Sequence, residues 1–280
     1  MYRRRMSRSD YRRFMHGFRA ERFAPDDWLD LASAAGMEYV TFTAKHVDGF
    51  GMWDSALTDF KVTRTPCGRD VFRELAHACQ QRGVPLCVDY ACADMNHPNY
   101  PNAGRAYELP APAPGDTPDL ERYLAYVRGQ VRELCTWYGP IHGFWWDANV
   151  LKHRDPTLNE LIRRLQPAAV INDRGYSEGD FGTPERDYDQ QLHARPVFAR
   201  PTEACESVGR ESWGWREDED YFTDAYLVRS IRSVLARGGN FLLNVGPSPM
   251  APSRTPPPRS YAGSASGCVQ SAPHCGTHVL

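Results

Sequence analysis

Several residues at the ends of short apolar runs could do chemistry in this chain. Asp147 closes the run His142-Gly-Phe-Trp-Trp-Asp147, directly after Trp145 and Trp146. A carboxylate beside indole rings suits stabilisation of an oxocarbenium-like sugar centre, or covalent attack on it. Asp is also a common helix N-cap, so a capping role fits Asp147 as well. Acid/base work at such a centre needs a second carboxylate. The candidates are Glu185 in DFGTPE and Glu203 in RPTEACES, both in loop-like stretches, where carboxylates are ordinarily solvated. His46, in Lys45-His46-Val47-Asp48-Gly49-Phe50, could hydrogen-bond a ligand hydroxyl or make a purely structural contact. Asp48-Gly49 is a turn pair. Arg174, after Asn172-Asp173, could clamp a ligand oxygen or pair with an aspartate. Asp89 and Tyr90 end a third apolar run, and Trp213 and Trp215 in SWGW read as a sugar platform or as packing. Each signal is weak singly. Together they favour a polyhydroxylated ligand over a phosphate.

The elements that must position these residues alternate helix and strand. Helices are expected at Pro25–Ala35, Asp70–Arg82, Asp119–Tyr138, Leu158–Leu165 and Thr223–Ala236, with Gly36, Gly83, Gly139 and Gly238-Gly239 as stops. Strands are expected at Glu38–Ala44, Pro85–Tyr90, His142–Asp147, Ala168–Asn172 and Asn240–Val245. Helix–Gly–strand repeats imply parallel strands joined by crossover helices, and near-continuous apolar strands imply that both faces are covered. The fold class is therefore α/β, either a (β/α) barrel or an open doubly wound sheet. No GxGxxG or GxxxxGK[ST] follows any strand, which weighs against a nucleotide-binding open sheet. In a barrel all the polar strand ends face one mouth.

The chain has 280 residues, 41% hydrophobic, enough for one barrel of about 250 residues. Lys+Arg 33 against Asp+Glu 35 gives a net charge of −2, which excludes a globally basic nucleic-acid binder. No run approaches the ~18 apolar residues of a membrane span. The Arg-rich N-terminus has Tyr2, Met6, Tyr11, Phe14, Met15 and Phe18 at near-helical spacing and reads as a solvated helix face. No apolar h-region follows it, so the sequence as given carries no secretory signal. The expectation is cytoplasmic by default, or secreted if the true start lies upstream. The eight cysteines include no CxxC pair, which argues against structural zinc and a disulfide framework. Cys268, His274, Cys275 and His278 match no common metal spacing. Residues 1–250 read as the folded domain. Residues 251–280, dominated by Pro, Ser, Ala and Gly, read as a disordered tail.

Six ordered blocks carry a family resemblance: AGMEYVTFTAKHVDGFGMWDSALTDF, FWWD, LQPAAVINDR, GDFGTPE, TEACESVGRESWGW and VLARGGNFLLNVGPSP. Over roughly residues 10–249 the chain resembles the α-L-fucosidases of glycoside hydrolase family 29. The resemblance implies a (β/α)8-like barrel and release of terminal α-L-fucose with retention, through a covalent intermediate, with no cofactor and no metal. The implied partner is a fucosylated carbohydrate, not a nucleic acid or a membrane. Carried over by motif, Asp147 is the nucleophile and Glu185 the acid/base, with Glu203 as the alternative. His46, Tyr90, Trp145 and Arg174 fall on sugar-contacting positions. Retaining chemistry places the two carboxyl groups about 5–5.5 Å apart.

The departures are equally specific. Val47 stands where the family's KHHDGF motif has its second histidine. Members carry an earlier strand with an IHWG-like motif, so the expectation is a barrel lacking its first strand, truncated at both ends. Two further readings remain open: a non-catalytic remnant that binds carbohydrate weakly, and a hydrolase for another deoxy-sugar.

Overall fold

The computed structural model describes residues 6–186 and 197–248, together with the backbone of 277–279. The chain forms two compact units. The first comprises Met1–Glu21 (described from residue 6), Phe42–His77 and Leu86–Gly179; the second comprises Arg22–Thr41, Ala78–Pro85 and Asp180–Leu280. The fold is α/β with parallel strands. No helix among the described residues is long and apolar enough to cross a membrane.

In the first unit β2 (Leu86–Ala91), β3 (Gly143–Asp147) and β4 (Val170–Ile171) form a parallel ladder. The helices α4 (Leu120–Trp137) and α5 (Pro156–Leu165) are the crossovers that parallel pairing requires. Asp119 caps α4 by accepting from the Arg122 N–H, and Asp155 caps α5 with Pro156 at its first turn. The fixed φ of proline and the carboxylate at the cap explain why α5 begins there. The crossover helices bury Tyr123, Val127, Val131 and Leu134 from α4 and Leu158, Leu161 and Ile162 from α5. Against them lie the fully buried rings of Tyr90, Phe144 and Trp146. Trp146 Nε1 donates to Asn159 Oδ1 at 2.9 Å, so the indole brings no unpaired donor into this layer.

The second unit contains α2 (Pro25–Ala34), the first half of β1 (Met37–Lys45), the parallel pair β5 (Glu203–Ser207) and β6 (Asn240–Asn244), and α6 (Asp224–Leu235). Its core joins Ala204, Val208, Leu227, Ile231, Val234, Phe241 and Leu243. A three-residue β7 (Thr277–Val279) pairs parallel with the start of β1 and with β6. The rest of the expected tail, with Cys268, His274 and Cys275, lies outside the described residues. The α3 helix (Val71–Arg82) joins β1 to β2 along the chain.

Two expectations are corrected here. Glu203 does not lie in a loop: EACES is a buried strand, invisible to apolar periodicity because three of its five residues are polar or charged. The N-terminal arginines do not continue one helix. After the short α1 (Arg8–Arg12) the chain tightens into a 3-10 turn over Arg13–Gly17.

Candidate active site

The site is built on the C-terminal end of β3. Successive strand side chains point to opposite faces, so Phe144 and Trp146 go to the helices while Trp145 and Asp147 share the other face. The backbone beneath Asp147 is held from both sides. The Cys92 N–H donates to the Asp147 carbonyl at 2.6 Å. Beside β3, fully buried Asn172 accepts from the Trp146 N–H at 2.9 Å and donates back to its carbonyl at 2.9 Å. That amide extends the two-residue β4 ladder by imitating a peptide group. It also fixes the turn that carries Arg174. Directly after Asp147 the chain turns through Ala148 at a φ of 50°, a left-handed conformation that costs a non-glycine residue about 1–2 kcal/mol.

Three side chains converge. His46 Nε2 lies 3.2 Å from Asp147 Oδ2, and Arg174 Nη1 lies 3.5 Å from Asp147 Oδ1. Each carboxylate oxygen is therefore addressed by one cationic group. The Arg174 guanidinium also stacks 4.6 Å from the centre of the Trp145 ring. Asp147 is 19% exposed, so the carboxylate remains reachable.

His46 comes from the loop after β1. The Gly49 N–H donates to its carbonyl at 2.9 Å. Gly49 itself has a φ of 81°, and a Cβ there would meet Asp94 Oδ1 at 2.3 Å. Only glycine allows that close approach. The same Asp94 pairs with buried Lys45 at 3.4 Å, and Tyr11 donates to Asp48 at 2.6 Å. Anchors on both sides thus hold the His46 loop.

The electrostatics follow from these contacts. Desolvation opposes the charge of the Asp147 carboxylate, but the His46 hydrogen bond and the charges of His46 and Arg174 outweigh it and hold the group below the usual range. Desolvation also opposes imidazolium at His46; it is only partial, because the ring is 49% exposed. The Asp147 hydrogen bond and charge, with lesser help from Asp89 and Asp48, raise His46 to about 9. At neutral pH the pair is His46⁺/Asp147⁻.

The structure brings His46, Trp145, Asp147 and Arg174 together and leaves Tyr90 out. Tyr90 faces the helices, donates to Gln130 Oε1 at 2.6 Å and packs edge-on against Trp146 at 5.7 Å. Its expected place as a sugar contact is corrected by strand alternation. The acidic β2 residue on the Asp147 face is Asp89, in sequence a polar strand end with no role assigned to it. Asp89 is 5% exposed and its Oδ1 has no hydrogen-bond partner among the described residues. Desolvation, followed by the charge of Asp147, pushes its carboxyl far above the usual range. A buried acid in an otherwise apolar strand was the available signal.

Glu185 and Glu203 belong to the second unit. Glu185 is exposed in an irregular segment bridged to Cys205. Glu203 is buried at the first residue of β5 and accepts from the Tyr39 hydroxyl. Among the described residues no group of three or more His, Cys, Asp and Glu side chains is placed to hold a metal ion.

The sequence profile of the family described as Alpha-L-fucosidase matches residues 1–251. The chain belongs to the alpha-L-fucosidase family. The tissue alpha-L-fucosidase of Macaca fascicularis is 26% identical over 252 residues, covering 86% of this chain and 52% of that protein. The Rattus norvegicus enzyme is 28% identical over 251 residues, covering 85% and 52%. The chain thus spans about half the length of these curated alpha-L-fucosidases. Among solved structures, alpha-L-fucosidase isoenzyme 1 from Paenibacillus thiaminolyticus superposes with a TM-score of 0.84 at 32% identity, over 96% of this chain and 68% of that one. Alpha-L-fucosidase AlfC from Lactobacillus casei, in complex with its alpha-L-fucose product, shares the fold at a TM-score of 0.77 and 24% identity, over 93% and 84%.

Proposed function

We propose that the chain is the catalytic part of a retaining α-L-fucosidase built on a (β/α)8-like barrel, with a fucosylated glycan or glycoconjugate as substrate. The observation that carries this reading is the His46–Asp147–Arg174 cluster over Trp145. It presents an ionised, cation-flanked carboxylate at the C-terminal end of a parallel strand, where barrel enzymes place their chemistry.

In this mechanism an Asp147 oxygen attacks C1 of fucose and forms the glycosyl ester. The bond from C1 to the aglycone oxygen breaks, and that oxygen takes a proton from Glu185. Glu185 then deprotonates the water that hydrolyses the ester, releasing fucose with retention. Glu185 suits this role because an exposed loop carboxyl can exchange protons with solvent. Glu203 suits it less, since it is buried and occupied by Tyr39. Arg174 and His46 hold Asp147 as the anion and orient its two oxygens, while Trp145 gives the sugar an apolar face.

Hydrolysis of 4-nitrophenyl α-L-fucoside by the purified protein, beside Asp147→Ala, tests the reading. Turnover that vanishes in the variant is expected. Restored turnover with azide, yielding a β-configured fucosyl azide, would identify Asp147 as the nucleophile. A folded protein that leaves the fucoside intact overturns the proposal.

A further inference from the structure

Asp89 is a buried acid that the mechanism above does not use. In the register of the β2–β3 ladder Asp89 sits opposite Trp145 and Ala91 opposite Asp147. Asp89 and Asp147 are therefore diagonal neighbours on one face. A strand spacing of ~4.8 Å and a two-residue rise of ~6.6 Å put their Cα atoms roughly 8 Å apart. The main charged and polar groups acting on Asp89 belong to this site, and buried Cys92 lies within reach of its charge. Thr43 of β1 hydrogen-bonds it; His46 beyond β1, Asp147 of β3 and Arg174 beyond β4 act on it by charge. Its Oδ1 is shut off from solvent and unpartnered among the described residues. A stranded oxygen is costly for a carboxylate and much cheaper for a neutral acid.

The charge balance of the cycle gives that acid a use. In the resting site two cations, His46⁺ and Arg174⁺, face one anion, Asp147⁻. Once Asp147 forms its bond to C1 it is a neutral ester, and both cations lose their counter-ion. The like charge of Asp147, which adds to burial in keeping Asp89 protonated, disappears in the same step. We propose that Asp89 is the reserve counter-ion of this site: a positioning residue that is neutral while Asp147 is the anion and ionises when Asp147 becomes an ester. Its proton leaves to solvent. When water cleaves the ester and Asp147 regains its charge, Asp89 takes a proton back. His46 thus stays an imidazolium through the covalent intermediate. This inference rests on the fucosidase reading for the identity of the ester.

Asp147→Asn imitates the ester, because the side chain keeps its shape and loses its charge. The test is an NMR titration of His46 through its ring carbon, assigned with His46→Gln, in four proteins. In the unaltered chain His46 titrates near 9, and in Asp89→Asn only slightly lower, because Asp147 is its main partner. In Asp147→Asn it stays above its ordinary value of about 6.5, because Asp89 has ionised. In the double variant it falls below that value. Equal His46 titrations in Asp147→Asn and the double variant overturn the proposal, whatever the activity.

The kinetic arm reads the intermediate itself. With 4-nitrophenyl α-L-fucoside, Asp89→Asn is expected to lower kcat about tenfold, with kcat/KM held within about twofold and a burst of nitrophenol, because only ester hydrolysis is slowed. Parallel losses in kcat and kcat/KM also overturn the proposal. The expected titrations in a protein that cleaves no fucoside would keep the exchange between the two carboxyl groups and remove the fucosidase reading alone.

Discussion

The two faces of β2 and β3 make opposite use of neighbouring residues. On one face Tyr90, Phe144 and Trp146 are fully buried beneath α4 and α5, and their polar atoms are satisfied by Gln130 and Asn159. On the other, Asp89, Trp145 and Asp147 meet His46 and Arg174. On the helix face the Tyr90 hydroxyl and the Trp146 indole N–H both have partners. The site face holds mismatched charge: two carboxyl groups pushed in opposite directions and one buried oxygen left over. A one-residue step along the strand separates a packing residue from a chemical one.

The sharpest way to break this comparison is to neutralise the chemical face. Asp147→Asn should reduce kcat/KM for an aryl α-L-fucoside by about 10⁴-fold or more with only a small fall in melting temperature, since the core stays intact and the loss is confined to the pairing with His46 and Arg174. A large drop in melting temperature would mean that Asp147 is structural. The complementary change, Trp146→Ala, should cost about 3–5 kcal/mol in a denaturant titration, through the cavity it leaves and the unpaired Asn159. A milder cost would show that α5 can collapse onto β3.

His46→Gln should lower kcat/KM by roughly 10–100-fold, because one oxygen of Asp147 loses its charged donor. It should also remove an alkaline limb. His46 is raised to about 9, so its imidazolium is present at neutral pH and lost as the pH rises through 9. The same sign governs stability: the His46–Asp147 contribution is full below about 6.5 and lost as pH climbs through 9. A pH–rate profile of the variant with an unchanged fall near pH 9 would assign that limb to another group. The smallest effect belongs to Tyr90→Phe. It removes one buried hydrogen bond to Gln130, costing about 1–2 kcal/mol in denaturant, with kcat/KM unchanged within about twofold. A hundredfold loss of kcat/KM there would put Tyr90 back among the sugar contacts.

Much of this was legible in advance. The alternation of helix and strand, the Asp119 at which α4 opens, and the glycines that end α3 and α4 are local signals, and each expected helix formed within a few residues of its span. Asp147, His46 and Arg174 were legible because each follows an apolar strand, and a parallel topology brings such ends together. β5 was not legible. EACES is stabilised by pairing with β6 and by burial, and neither leaves a periodic trace in a five-residue polar string. Tyr90 was misassigned because a motif match fixes a position along the chain without fixing the face to which the side chain points.

The sequence by itself determined the order of elements, the family, and the residue types gathered at the end of β3, because propensity, capping and motif spacing are properties of local chain. Only the tertiary structure decided that Asp89 rather than Tyr90 shares the face of Asp147, that Glu203 is a buried acceptor for Tyr39, and that His46 and Arg174 divide the two oxygens of Asp147 between them. Those outcomes depend on strand register and on which charges lose their water together. Both are set by residues far apart in the chain.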